Sequence, residues 1–130
     1  MAPHRILQLN AASTAASAIV MFAARGILPS LFGLDGPMLI DVLAGGFLAY
    51  AGALAIAARR QPVSRQALMA FTVADAAWVA ASALVLLLFW AQLAPVGRLL
   101  VIAVALIVEV FATLQFRTAG SVAQGTPTLV

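Results

Sequence analysis

The stretch from Ala67 to Trp90, ALMAFTVADAAWVAASALVLLLFW, restricts this chain more than any other. About 20 apolar residues, rising ~1.5 Å each as a helix, cross a hydrocarbon core of ~30 Å. The stretch is therefore long enough to span a bilayer, yet it carries one carboxylate, Asp75. A charged side chain near the bilayer centre costs roughly 2.5–3.5 kcal/mol on insertion scales. A helix carrying one must turn it toward protein or water. The chain is thus expected to surround Asp75 with further helices.

Three other apolar stretches can supply them, at about 10–28, 38–58 and 97–116, with the third span at 67–90. The 130 residues are 65% hydrophobic and 8% charged, against about 25% charged in soluble domains. A water-soluble fold would lack the groups to cover its surface, so the lipid bilayer is the first partner. The predicted fold is all-α, an integral membrane up-down bundle of four transmembrane helices. It forms one domain over 1–118, and 119–130 is expected to be a flexible tail. Prolines and glycines in PSLFGLDGP, 29–37, break the chain after the first span. A basic loop from Arg59 to Arg65 and a brief loop from Ala91 to Val96 make the other turns. A cleaved signal peptide is a rival reading of the first 24 residues, because Arg5 precedes an apolar run and Phe22-Ala23-Ala24 resembles a cleavage site. The run is rich in alanine and serine, and Phe22 is not small, which favours a retained helix.

Arginine placement sets the expected topology. With the N-terminus inside, Arg5, Arg59, Arg60, Arg65 and Arg117 lie on the cytoplasmic side, and Arg25 and Arg98 lie outside. This satisfies the positive-inside rule and places both termini in the cytoplasm of a bacterial-type inner membrane. The net charge of +3 is what such a topology needs, so no nucleic-acid partner is expected. With no cysteine and one histidine, thiol chemistry, disulfides and paired-histidine haem ligation are excluded within one chain, and no metal or cofactor is expected.

Three groups of residues stand out. Gly45, Ala49, Gly52 and Ala53 in the second span form a small-residue seam suited to close helix packing. Arg25, Asp41 and Arg98 gather at the outer ends of spans and are candidates for interfacial ion pairs. Asp75 and Glu109 are intramembrane carboxylates at similar depth on neighbouring antiparallel helices. Glu109 lies about 12 Å along its helix from Arg117, and Asp75 about 15 Å from Arg65. Thr72, Trp78 and Ser82 share a face with Asp75, and Thr113 lies beside Glu109. In the first span Asn10, Ser13, Thr14 and Ser17 fall on one stripe that should face other helices. Three roles fit the carboxylates: structural groups that fix helix rotation, a shared proton or cation site, or the wall of a pocket for a polar or cationic ligand.

LFGL at 31–34 after a first helix, a glycine-rich second helix ending in AARR at 57–60, and a short third-to-fourth hairpin resemble the small four-helix membrane proteins of bacteria, DoxX-like ones among them. The resemblance implies a four-helix membrane fold and brings no catalytic motif to a matched position. Small multidrug transporters have similar length, but their essential glutamate sits in the first helix, where this chain has none. The leading expectation is a non-enzymatic accessory or scaffold subunit, packed against other membrane subunits or itself. The alternative is a small proton-coupled carrier or channel using Asp75 and Glu109. An enzyme ranks third, since the sequence offers no nucleophile–base pair, metal cluster or phosphate loop.

Overall fold

A computed structural model describes residues 2–60 and 62–123. These form five helices: α1 (Pro3–Ala23), α2 (Leu28–Leu31), α3 (Met38–Arg59), α4 (Arg65–Phe89) and α5 (Pro95–Ala123). Four of them, α1, α3, α4 and α5, are long and apolar enough to cross a membrane. α1 and α3 pack into one antiparallel hairpin and α4 and α5 into another. The two hairpins meet mainly through α1 on α5 and through side chains bridging α3 and α4.

The apolar residues are distributed inside out. Leu87 is 79% exposed, and Ile19, Val42, Val73, Leu84, Leu106 and Ile107 also point away from the bundle. In water such a surface would drive association, whereas lipid solvates it at no cost. The interior is small. Its main cluster, Leu7, Ala11, Leu54, Ala58, Val63, Leu68 and Ala119, draws on all four spans at the arginine-rich end. Tyr50, Phe71 and Met69 pack against it.

That cluster explains where the helices end. α1 starts at Pro3, a residue suited to a first turn, rather than near Asn10, because Ile6 and Leu7 are buried in the bundle. α5 continues through Arg117 to Ala123 instead of stopping near Phe116, and its late residue Ala119 is fully buried. Residues 119–123 are therefore helix, not tail, and 124–130 lie outside the described residues. Ser64 caps α4, its side chain accepting from the Ala67 N–H at 3.0 Å.

At the opposite end the loops lock together. The Ala94 N–H donates to the Leu31 carbonyl at 3.0 Å. Gly33 has φ +68°, a left-handed conformation, and sits against the Gln92 backbone. Gly97, in the first turn of α5, lies so close to the Leu31 carbonyl that a Cβ would collide with it. The short helix α2, which leads into PSLFGLDGP, is thereby seated on the α4–α5 turn.

Candidate functional site

One polar residue from each spanning helix converges inside the bundle. Asp75 of α4 is 4% exposed. Its Oδ2 accepts from Asn10 Nδ2 of α1 and from Gln115 Nε2 of α5, both at 3.0 Å. Its Oδ1 accepts from the Tyr50 hydroxyl of α3 at 2.7 Å. The ring closes because Asn10 Nδ2 also donates to Gln115 Oε1 at 2.8 Å. Thr14 donates to Asn10 Oδ1 at 3.2 Å and so holds that amide in orientation. All three bonds to Asp75 run toward its oxygens, the pattern of a carboxylate acting as acceptor. None comes from a cation, so neutral dipoles alone stabilise the group.

The clasp is sealed along the helix axes. On the arginine-rich side lie Leu7, Leu54, Leu68 and Ala119, each wholly buried and one or two turns from a clasp residue. On the other side Phe47 and Trp78 meet edge to face with centroids 4.9 Å apart, one turn beyond Tyr50 and Asp75. Tyr50 and Phe71 make a second such pair at 5.6 Å. Satisfied donors inside tight apolar packing suit a group that fixes helix rotation.

The structure places the other expected residues differently. Glu109 does not approach Asp75. It lies on the exposed outer face of α5, with Thr113 Oγ1 at 3.5 Å, the limit of a hydrogen bond. The α5 residue that meets Asp75 is Gln115. Six residues separate it from Glu109, which at 3.6 per turn sets the two about 120° apart around α5 and about 9 Å apart along it. Thr72 and Ser82 bond back to the carbonyls of Leu68 and Trp78, and so serve their own helix rather than the clasp. Trp78 packs on Phe47, and its buried Nε1–H has no acceptor among the described residues. In α1, Ser17 donates to the Ser13 carbonyl.

Among the described residues, the ionic group at the end away from the basic loop is a pair and not a triad. Arg25 reaches Asp41 through Nε and Nη2 at 2.9 and 2.6 Å. The hydrogen bond to Asp41 raises the pKa of the Arg25 guanidinium above its ordinary value. Arg98 turns instead to Trp90, donating to its carbonyl from Nε and Nη2 and lying 4.1 Å from its ring centroid.

The seam of Gly45, Ala49, Gly52 and Ala53 does not pack within the bundle. All four are exposed, and a Cβ at either glycine would meet nothing within 4 Å. α3 buries Ile40, Ala44, Ala51, Leu54 and Ala58 instead. Two polar anchors fix that rotation: Asp41 on Arg25 and Tyr50 on Asp75.

Asn10 was visible in the sequence as the head of a polar stripe. Tyr50 and Gln115 were not assigned to the site. A rule of one amide or hydroxyl per span at the depth of the buried acid could have found Tyr50, nine residues from Arg59, but not Gln115, two residues from Arg117. Comparison with protein-family models, curated proteins and solved structures finds no match for this chain.

Proposed function

We propose that this chain is a non-enzymatic accessory or scaffold subunit of a larger membrane protein assembly. It would lie in a bacterial-type inner membrane with both termini cytoplasmic. The observation that carries this reading is Glu109, a carboxylate at the middle of α5 on the outside of the bundle. Acidic side chains at that depth face protein or water and not acyl chains. A neighbouring membrane helix that offers a cation or hydrogen-bond donor at the same depth would cover it. A second copy of this chain offers hydroxyl donors such as Thr113 but no arginine level with Glu109, since Arg117 lies eight residues further along α5. A different membrane subunit that brings a cation is the partner this reading favours.

The test is purification of the full chain from native membranes at its natural expression level in a mild detergent. A complex of fixed stoichiometry is expected. Glu109→Leu should release the partner while leaving the thermal unfolding of the isolated bundle unchanged. A wild-type chain that emerges alone and monomeric would sink the proposal.

A proton-coupled carrier is the second reading, and one contact favours it. The Tyr50 hydroxyl lies 3.3 Å from the Phe71 carbonyl as well as 2.7 Å from Asp75. It can turn to the carbonyl and leave its oxygen to accept from a protonated Asp75. The apolar plug between the clasp and the arginine-rich end weighs against a proton path. Proton flux in vesicles that disappears in Asp75→Asn would support the carrier, and equal flux in both would exclude it.

A further inference from the structure

At the arginine-rich end, the last turns of α3 and the first of α4 enclose a hollow of about 510 Å³. Its walls are apolar: Ala53, Ile56, Ala57, Val63 and Ala67, with Pro62. Among the described residues, its polar side chains are those of Arg60 and Ser64. The Ser64 hydroxyl is already used in capping α4. Arg60 is exposed, and among the described residues the sole ion pair is the distant Arg25–Asp41. Arg59 and Arg65 flank the same loop and are also exposed. The hollow therefore joins an apolar floor to a cationic rim, at the level where the spanning helices leave the hydrocarbon. Above it the α3 surface stays open at Gly52 and Ala49, with no side chain across it.

We infer that this hollow holds one anionic phospholipid, its phosphate on Arg60 and an acyl chain along Ala53, Ile56 and Ala57. Three features select this occupant over a neutral lipid or a protein helix. The guanidinium presents a planar fork of donors that fits a phosphate. Arg59 and Arg65 add positive charge, and among the described residues no acidic side chain lines the hollow. The floor is made of alanine and isoleucine, surfaces suited to a methylene chain, and about 510 Å³ takes one acyl chain with its phosphate at the rim, the rest of the lipid lying outside. A partner helix would leave the arginine rim unanswered unless it brought its own acid.

The test is native mass spectrometry of the full chain, released from micelles doped with equal amounts of phosphatidylglycerol and phosphatidylcholine. A one-to-one adduct should form with about a fivefold preference for phosphatidylglycerol, on the scale expected of one basic residue near a membrane surface. Arg60→Gln should bring the preference close to parity. Ala57→Leu should fill the floor and lower retention of both lipids, while Arg117→Gln, which does not line the hollow, should keep most of the wild-type preference. Equal retention of the two lipids by the wild type, or a preference that survives Arg60→Gln, would overturn the inference. So would a chain dimer lost on Ala57→Leu, which would assign the hollow to a second copy.

Discussion

At Asp75, three donors from three helices end on one carboxyl group. Hydrogen bonds between membrane helices average about 0.6 kcal/mol and reach about 1.7. Asp75→Leu removes the acceptor shared by all three, leaves Gln115 Nε2 with none, and leaves Asn10 and Tyr50 only the Gln115 Oε1 and the Phe71 carbonyl; it should destabilise the bundle by roughly 2–4 kcal/mol. Asp75→Asn keeps one acceptor oxygen, and the amides of Asn10 and Gln115 can turn to present oxygen to its new donor. It should lose less than half as much. Reversible unfolding in mixed detergent micelles would separate the two variants, and equal losses would show that the clasp contributes little. The need to shield Asp75 was legible from hydropathy alone. Its partners were not, because sequence fixes neither the axial register nor the rotation of a helix in the bundle. Counted from the arginines, Glu109 matches Asp75's depth and Gln115 does not; α5 runs on to Ala123, and that longer helix brings Gln115 level with Asp75.

The helices themselves were readable, but their ends and faces were less so. Length and composition located all four spans, whereas Leu7 and Ala119 extend α1 and α5 through tertiary burial that no local pattern announces. The seam on α3 had the right spacing for packing, yet Tyr50 and Asp41 rotate it outward. Helix–loop contacts give a sharper prediction. Alanine in place of glycine in a helix gains about 0.8–1.0 kcal/mol in propensity. At Gly97 that gain meets the Leu31 carbonyl, a backbone atom that cannot swing aside. Overpacking of this kind costs typically 1–3 kcal/mol, so Gly97→Ala should be net destabilising by up to about 2 kcal/mol. Gly120 lies in the same helix with nothing within 4 Å of its Cβ position, and Gly120→Ala should be neutral or stabilising. Thermal unfolding of the pair would decide, and a stabilised Gly97→Ala would mean that the α2–α5 contact is loose.

For the molecule as a whole, the division into two hairpins sets what can be separated. α1 lies along α3 and α4 along α5, while the surfaces between hairpins are narrower. Their faces are mostly alanine and other apolar residues, which lipid solvates as well as protein does, so apolar burial gives little drive for the hairpins to join. The clasp is different. Asn10 and Tyr50 belong to one hairpin, Asp75 and Gln115 to the other, and parting them would leave a carboxylate and two amides in hydrocarbon. The polar bonds should therefore govern assembly of the halves, while each hairpin inserts by its own hydropathy. Cutting the basic loop tests this, since the break falls outside the spans. Residues 1–60 and 62–130, coexpressed as separate chains, should both insert and should copurify. Asp75→Leu in the second fragment should abolish copurification without reducing insertion of either. Asn10→Leu in the first should weaken it strongly, because Asn10 alone bonds to both Asp75 and Gln115. Phe47→Leu, which removes an aromatic contact between the hairpins but no hydrogen bond, should leave most of it. If Phe47→Leu separates the fragments as completely as Asp75→Leu, van der Waals packing rather than the buried acid joins the two halves.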